Sequence, residues 1–328
     1  MPQAARGFIY PFRLHGKNSN NPTNYKVSWT GKWDGCRIVS RDCYAAYGLA
    51  GLESTTYDTA GTMTVTMTPD AKIEYLFDRV KVFYDVNYQS MQIGIDSLTE
   101  VKEVIENRQQ GYTEFIFMKP LTQVTFTINK RDSIQNHFTL YGFYFDLDAP
   151  GINYSAIGVN GASVPSFLKT SGNFERQLSV IKPDLIIFSI GINDAFDPNF
   201  TQSWYEGNYS EMIKRIKKVA PGAAILFTTN TDSYKKRKNK YYKNVTGIEV
   251  KGSMQNLANK YGAGVWDLFS VMGGLGSMQF WINNHMAAND HIHFSRKGYY
   301  LMGDLMFTAI IKKYEQYLKM PVAKLKHE

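Results

Sequence analysis

The chain has 328 residues, 44% of them hydrophobic and 20% charged, an ordinary globular balance long enough for two domains. Its 37 Lys and Arg against 29 Asp and Glu give a formal net charge of +8, a moderate field that suits an anionic polymer. No run reaches the ~18–20 apolar residues that span a bilayer, and there is no zinc-ligand spacing, helix-turn-helix cue or RNA-binding signature, so neither a membrane span nor nucleic acid is expected.

In chain order, residues 1–7 lack the apolar stretch of a secretory signal, which taken alone places the chain in the cytoplasm. Cys36 and Cys43 lie seven positions apart; they either pair in an oxidising compartment or stay as buried thiols. From about 25 to 147 the pattern is β. Period-two runs at 62–67, 72–75, 80–84, 115–118, 123–128 and 139–145, separated by turn residues, predict a β-sandwich or jelly roll. The 22 Tyr and 20 Phe fit half-buried strands, and also a sugar-binding face.

Around Asp148-Ala149-Pro150-Gly151 strands begin to alternate with helices. Residues 155–159 predict a short strand ending in Asn160-Gly161, and the apolar run 185–190 predicts a buried parallel strand. Met212, Ile213, Ile216 and Val219 form a helical stripe that Pro221-Gly222 stops. A strand at 224–229 follows, then the basic run Lys235-Lys236-Arg237-Lys238-Asn239-Lys240, expected on a solvated loop. A helix near 246–261, a strand at 264–266 and a last helix from about 295 to 318 complete the pattern. Leu301, Met302, Leu305, Ile310 and Tyr314 are expected on the inner face of that helix. The sum is a three-layer α/β arrangement around a parallel sheet.

Two local patterns carry chemistry. Asp290-His291-Ile292-His293 sets a carboxylate three residues before a histidine, a spacing that a turn brings to one side. His293 then reads as a general base oriented by Asp290, just ahead of a helix that Ser295 can cap. A capping cluster with a merely structural histidine is the alternative. His291 should face away, and His285 lacks a nearby orienter. Gly191-Ile192-Asn193-Asp194 follows the 185–190 strand, at the carboxyl end where open α/β sheets bind ligands. There Asn193 can donate its amide to a developing oxyanion, or simply form an Asx-turn. Gly161 can bring a backbone N–H to the same charge, or simply make a tight turn.

Asn160-Gly161-Ala162-Ser163, Gly191-Ile192-Asn193-Asp194 and Asp290-His291-Ile292-His293, in this order, resemble three of the four blocks of the SGNH (GDSL-type) hydrolases. The likeness covers residues 150–320. It implies a flavodoxin-like esterase domain in which Gly161 and Asn193 line the oxyanion hole, His293 is the base and Asp290 its orienter, with no cofactor and no metal. The remaining block, a serine in G-D-S, has no counterpart after a first strand. The nearest string, Gly94-Ile95-Asp96-Ser97-Leu98, carries an extra residue and lies in the β region, so Ser97 reads as a decoy. Ser163 and Ser189 sit on the wrong blocks.

Arg6-Gly7-Phe8-Ile9-Tyr10-Pro11-Phe12 and Gly48-Leu49-Ala50-Gly51 resemble the segment that follows the serine block in exported bacterial SGNH proteins, where a β-domain is inserted between blocks. The likeness is to the peptidoglycan O-acetylesterase-like group. It implies a connecting segment over 1–24, a carbohydrate-binding-like β-sandwich over 25–147 and an incomplete hydrolase domain over 148–328. The serine and an export signal would lie upstream of Met1, in a periplasmic or exported protein, and translation of the upstream DNA checks this. The implied activity is removal of O-acetyl groups from a cell-wall polysaccharide such as peptidoglycan, with an acylated polysaccharide as partner and little turnover by the 328 residues alone. A non-catalytic carbohydrate-binding protein and a polysaccharide O-acyltransferase are the alternatives.

Overall fold

The computed structural model describes residues 5–15, 22–69, 74–170 and 172–319. They fall into two compact units, Met1–Pro183 with Lys214–Pro221, and Asp184–Ile213 with Gly222–Glu328.

The first unit is mostly antiparallel β. Its strands are β1 (Gly7–Ile9), β2 (Tyr25–Trp29), β3 (Asp34–Arg37), β4 (Leu52–Thr56), β5 (Ala60–Met67), β6 (Phe77–Tyr84), β7 (Gln92–Ile95), β8 (Val101–Asn107), β9 (Tyr112–Leu121), β10 (Gln123–Asn129) and β11 (Phe138–Asp146). One sheet runs β3-β4-β11-β6-β9-β8, with β1 also on β11, and the other runs β2-β5-β10-β7. The alternation of β5 explains its place: Met63, Val65 and Met67 are buried, while the intervening threonines face outward and Thr64 hydrogen-bonds the Thr125 hydroxyl at 2.8 Å. Val65 lies opposite Val124 and Met63 opposite Phe126. These side chains share one core with Val80, Val82, Phe143 and Phe145 of the other sheet, where Phe126 stacks on Phe143 at 4.9 Å between centroids. Each such side chain contributes roughly 1.5–3 kcal/mol on burial.

Several sequence expectations change here. The strand expected at 72–75 falls partly outside the described residues, and 74–76 form no strand. Residues 7–9, assigned by resemblance to a connecting segment, form β1 and pair with Phe143–Phe145. Cys36 and Cys43 form a disulfide. Residues 155–159 are not a strand. Their neighbourhood is held by the N–H of Phe8 donating to Ser155 Oγ at 2.9 Å and by Arg6 donating to the Tyr154 carbonyl at 2.7 Å, in place of a ladder. Two helices follow, α1 (Val164–Phe167) and α2 (Asn173–Ile181).

The second unit carries a parallel sheet of β12 (Leu185–Phe188), β13 (Ala224–Thr228) and β16 (Gly264–Trp266), in the order β12-β13-β16. A separate antiparallel pair is β14 (Tyr234–Arg237) and β15 (Lys240–Lys243). The remaining helices are α3 (Gln202–Val219), α4 (Thr246–Tyr261), α5 (Leu268–Val271), α6 (Ser277–Asn283) and α7 (Arg296–Leu318). α3 starts eight residues before the expected 210, because Tyr205 and Tyr209 extend the buried stripe of Met212 and Ile213. Phe188, Tyr209 and Phe227 meet at 5.3–5.5 Å and fix α3 on the sheet.

Two further corrections belong to this unit. The basic run is a hairpin and not a solvated loop: Lys238 takes the left-handed conformation (φ 54°) at its turn, and Tyr234 and Tyr241 anchor it, as described below. The face of α7 expected inside is largely outside: Leu301, Leu305, Ile310 and Tyr314 are 36–46% exposed. Helical period identifies residues that share a face, but not whether another element covers it. Only the first turns of α7 pack, through buried Gly298 and through Met302 against the cluster of Met272, Met278, Trp281, Ala287 and Phe294.

Candidate active site

The Asp290–His293 segment is a loop between α6 and α7. It is closed at its base by the Ala287–Phe294 bridge and by the N–H of Ala288 donating to the His293 carbonyl at 2.8 Å. Phe294 is buried against Trp281, at 4.8 Å between centroids. The neighbouring position therefore points the other way, and the His293 side chain is 65% exposed. Ser295 caps α7 by accepting from the Gly298 N–H, and its hydroxyl donates to the His285 carbonyl at 2.8 Å. Gly298 has no alternative residue: a Cβ there would stand 2.0 Å from the Met286 carbonyl oxygen.

Asp290 receives three bonds. Its Oδ1 accepts the N–H groups of Ile292 (2.9 Å) and His293 (3.0 Å), and its Oδ2 lies 2.8 Å from His293 Nδ1. Burial pushes the Asp290 carboxyl up, but the bonds from His293 and Ile292 outweigh it and hold the group below its ordinary value. An ionised carboxylate only accepts, so Nδ1 is the donor of this pair, and in the neutral form of the ring the lone pair lies on Nε2. The expected orientation of the imidazole by Asp290 is thus present as geometry.

His291, the residue after Asp290, faces elsewhere. It adopts φ 62°, stacks on Tyr241 of β15 at 3.9 Å, and its carbonyl accepts the Tyr234 N–H at 3.1 Å. Tyr241 Oη donates to the Asn289 carbonyl at 3.3 Å. The basic hairpin is therefore fastened to the Asp290–His293 loop. His285 is exposed and takes φ 58°.

Asn193 lies in the same unit, after β12, and is exposed. The hydroxyls of Tyr205 and Tyr209 both donate to the Ile190 carbonyl, at 3.0 and 2.6 Å, and pin the strand end from which Asn193 projects. Burial pushes both phenols up, so they remain protonated donors. Gly191 is needed beneath this clamp: a Cβ would meet Tyr205 Oη at 2.7 Å and Met254 at 2.9 Å. Asn244, fully buried, donates to the Ala195 carbonyl at 3.1 Å, and its own N–H bonds the Ser233 carbonyl. It ties the Asn193 turn to the root of the hairpin. Phe196, three residues past Asn193, then shares a cavity of about 500 Å³ with Asp290, Ile292 and the hairpin.

The first unit places the other candidates. Gly161 is exposed at φ 84°, between Asn160 and the start of α1, a conformation that favours glycine. Ser163 caps α1, with its hydroxyl 3.1 Å from that of Ser166. Ser97 sits on the turn between β7 and β8, where Asp96 Oδ1 accepts the N–H groups of Leu98 and Thr99. The G-x-D-S string is thereby accounted for as an Asx-type turn between strands of two different sheets and not as a strand-to-helix elbow. Tyr205, Tyr209, Asn244 and Gly298 escaped the sequence reading. A tyrosine pair at i, i+4 behind a G-x-N-D turn is the one signal that was available.

The second unit thus combines a parallel sheet, an exposed asparagine past the end of β12 and an imidazole held by a carboxylate. Residues 140–301 match the model of the GDSL-like lipase/acylhydrolase family, and the antiparallel strands β1–β10 precede the matched region. The family is one of esterases and acylhydrolases, as the SGNH resemblance implied. No curated protein matches the chain. A solved peptidoglycan O-acetylesterase has the same fold, with a TM-score of 0.77 at 23% identity over 95% of this chain and 83% of its own. A lipase/acylhydrolase from Enterococcus faecalis aligns at 22% identity over 47% of this chain and 72% of its own, with a TM-score of 0.36. An acetyl xylan esterase aligns at 17% identity over 47% and 78%, with a TM-score of 0.37.

Proposed function

We propose that this protein removes O-acetyl groups from a cell-wall polysaccharide such as peptidoglycan, with His293 as general base. The observation that carries the reading is the Asp290–His293 pair, at 2.8 Å, in a domain of the GDSL-like acylhydrolase family. In this scheme a serine hydroxyl attacks the acetyl carbonyl and His293 Nε2 takes its proton. Asp290 holds the resulting imidazolium, and His293 then returns the proton to the departing sugar oxygen. Water, deprotonated by the same imidazole, releases acetate. Asn193, at the end of β12, stabilises the oxyanion, a donor worth about 10²–10³ in rate. Among the described residues no serine stands in a strand-to-helix elbow, and the nucleophile is left unassigned.

The peptidoglycan substrate and an exported location are supported by the fold shared with the peptidoglycan O-acetylesterase, and the location also by the Cys36–Cys43 disulfide, which suits an oxidising compartment. The domain assignment of 25–147 as carbohydrate-binding is part of the same proposal. The test is acetate release by the reading frame as the cell translates it, on O-acetylated peptidoglycan, acetylated xylan and an aryl acetate. Faster release from peptidoglycan than from xylan is expected; equal rates on all three would remove the substrate assignment. Glycan retention without acetate release would favour the binding-protein alternative, and acetyl transfer to an added sugar would favour the transferase.

A further inference from the structure

The hairpin β14–β15 brings three cations, Lys235, Lys236 and Arg237, to one wall of the cavity of about 500 Å³ that Asp290 and Ile292 also line. That size holds one or two sugar rings. Among the described residues none of the three meets a carboxylate within salt-bridge distance. Lys235 lies over the Phe196 ring at 5.7 Å, and Lys236 over Tyr241 at 5.6 Å. Burial, and then Arg237, push the Lys235 ammonium below its ordinary value, although Asp197 and Glu249 oppose this. An anion entering the cavity would offset that cost. The one acidic wall residue, Asp290, is already engaged by His293 and two backbone N–H groups.

A charge run on a solvated loop has no reason to be held so firmly. This one is fastened by the Tyr241–His291 stack, by the Tyr234 N–H on the His291 carbonyl, and by buried Asn244 at its root. The wall combines phenyl and phenol rings, which suit the apolar face of a pyranose, with an arginine fork, which suits a carboxylate. A polyanionic phosphate backbone fits less well, since Asp290 stands on the same wall.

We propose that this cavity is a subsite for a carboxylate-bearing sugar of the polymer, seated by Lys235, Lys236 and Arg237 beside the His293 loop. The inference rests on the acylhydrolase reading of that loop and narrows its substrate to acidic glycans.

The test is calorimetric binding of muramic-acid-containing glycan fragments with free carboxylates, against the same fragments amidated. Free-carboxylate fragments are expected to bind about tenfold tighter. The double variant Lys235→Gln/Arg237→Gln should abolish that difference, and Lys235→Arg/Arg237→Lys should keep most of it. Lys238→Gln/Lys240→Gln, with the same charge change on the same hairpin but outside the cavity, should preserve it in full. Equal binding of both fragments by the unaltered protein overturns the proposal. So does an equal loss in the Lys238/Lys240 variant, which would reduce the effect to net charge. A single-stranded oligonucleotide that outcompetes the glycan would assign the hairpin to phosphate backbones instead. Binding needs no turnover, so carboxylate discrimination without acetate release would retire the esterase reading alone.

Discussion

Three hydrogen bonds converge on the Asp290 carboxylate, and they set both its charge and the direction of His293. Its folded pKa is depressed, so its contribution to stability is present above the unfolded pKa and is lost as pH falls through the folded value. Titration of the Asp290 carboxyl by carbon NMR is expected to show a midpoint below the usual carboxylate range. His293→Ala should move it upward by removing the ring bond, and an unchanged midpoint would mean that the pair is not formed in solution. Asp290 and His293 were legible in the sequence because their contact spans three residues. The contacts of Tyr205 and Tyr209 with the Ile190 carbonyl span 15 and 19 residues and depend on how α3 docks, which periodicity does not state. Tyr209→Phe is expected to cost about 1 kcal/mol in denaturant unfolding, the typical net value of one hydrogen bond.

At the scale of elements, the loop that presents His293 depends on the first turn of α7. Gly298→Ala forces a Cβ against the Met286 carbonyl, which is backbone and cannot swing aside, so about 3 kcal/mol of destabilisation is expected. Ser295→Ala, which removes only the cap, should cost about 1 kcal/mol. Urea melts of the two variants check this order, and a larger loss for Ser295→Ala would contradict it. β5, β6, β9, β10, β11, β12 and β13 could be read from alternation or apolar runs because their burial follows a simple period. β14 and β15 could not, because lysines dominate the run and the two anchoring tyrosines find their partner at His291, some 50 residues away. The exposed face of α7 is the opposite case: the pattern was plain and the covering neighbour was assumed.

For the molecule as a whole, the chain divides into a β-rich unit, Met1–Pro183 with Lys214–Pro221, and an α/β unit, Asp184–Ile213 with Gly222–Glu328, whereas the change of pattern in the sequence lies near 148. The disulfide closes a short loop in the first unit, for which chain entropy suggests about 2.5 kcal/mol. Reduction should lower the unfolding free energy of that unit by roughly this amount, while a Cys36→Ser/Cys43→Ser variant should not respond to reductant; no change on reduction of the unaltered protein would contradict the pairing. The family resemblance could be read from three short blocks because Gly161, Asn193 and the Asp290–His293 pair each sit at an element end with its own local signature. The proposed sugar subsite left no such signature, because its cavity is assembled from the β14–β15 hairpin, Phe196 and the Asp290 loop.

The central claim, that His293 oriented by Asp290 is the base of an acylhydrolase, is tested most directly by acetate release from O-acetylated peptidoglycan. The comparison is between the protein as translated in the cell and its His293→Ala variant at matched fold. A loss of about 10³-fold or more is expected. Acetate release that persists unchanged in the variant would contradict the account.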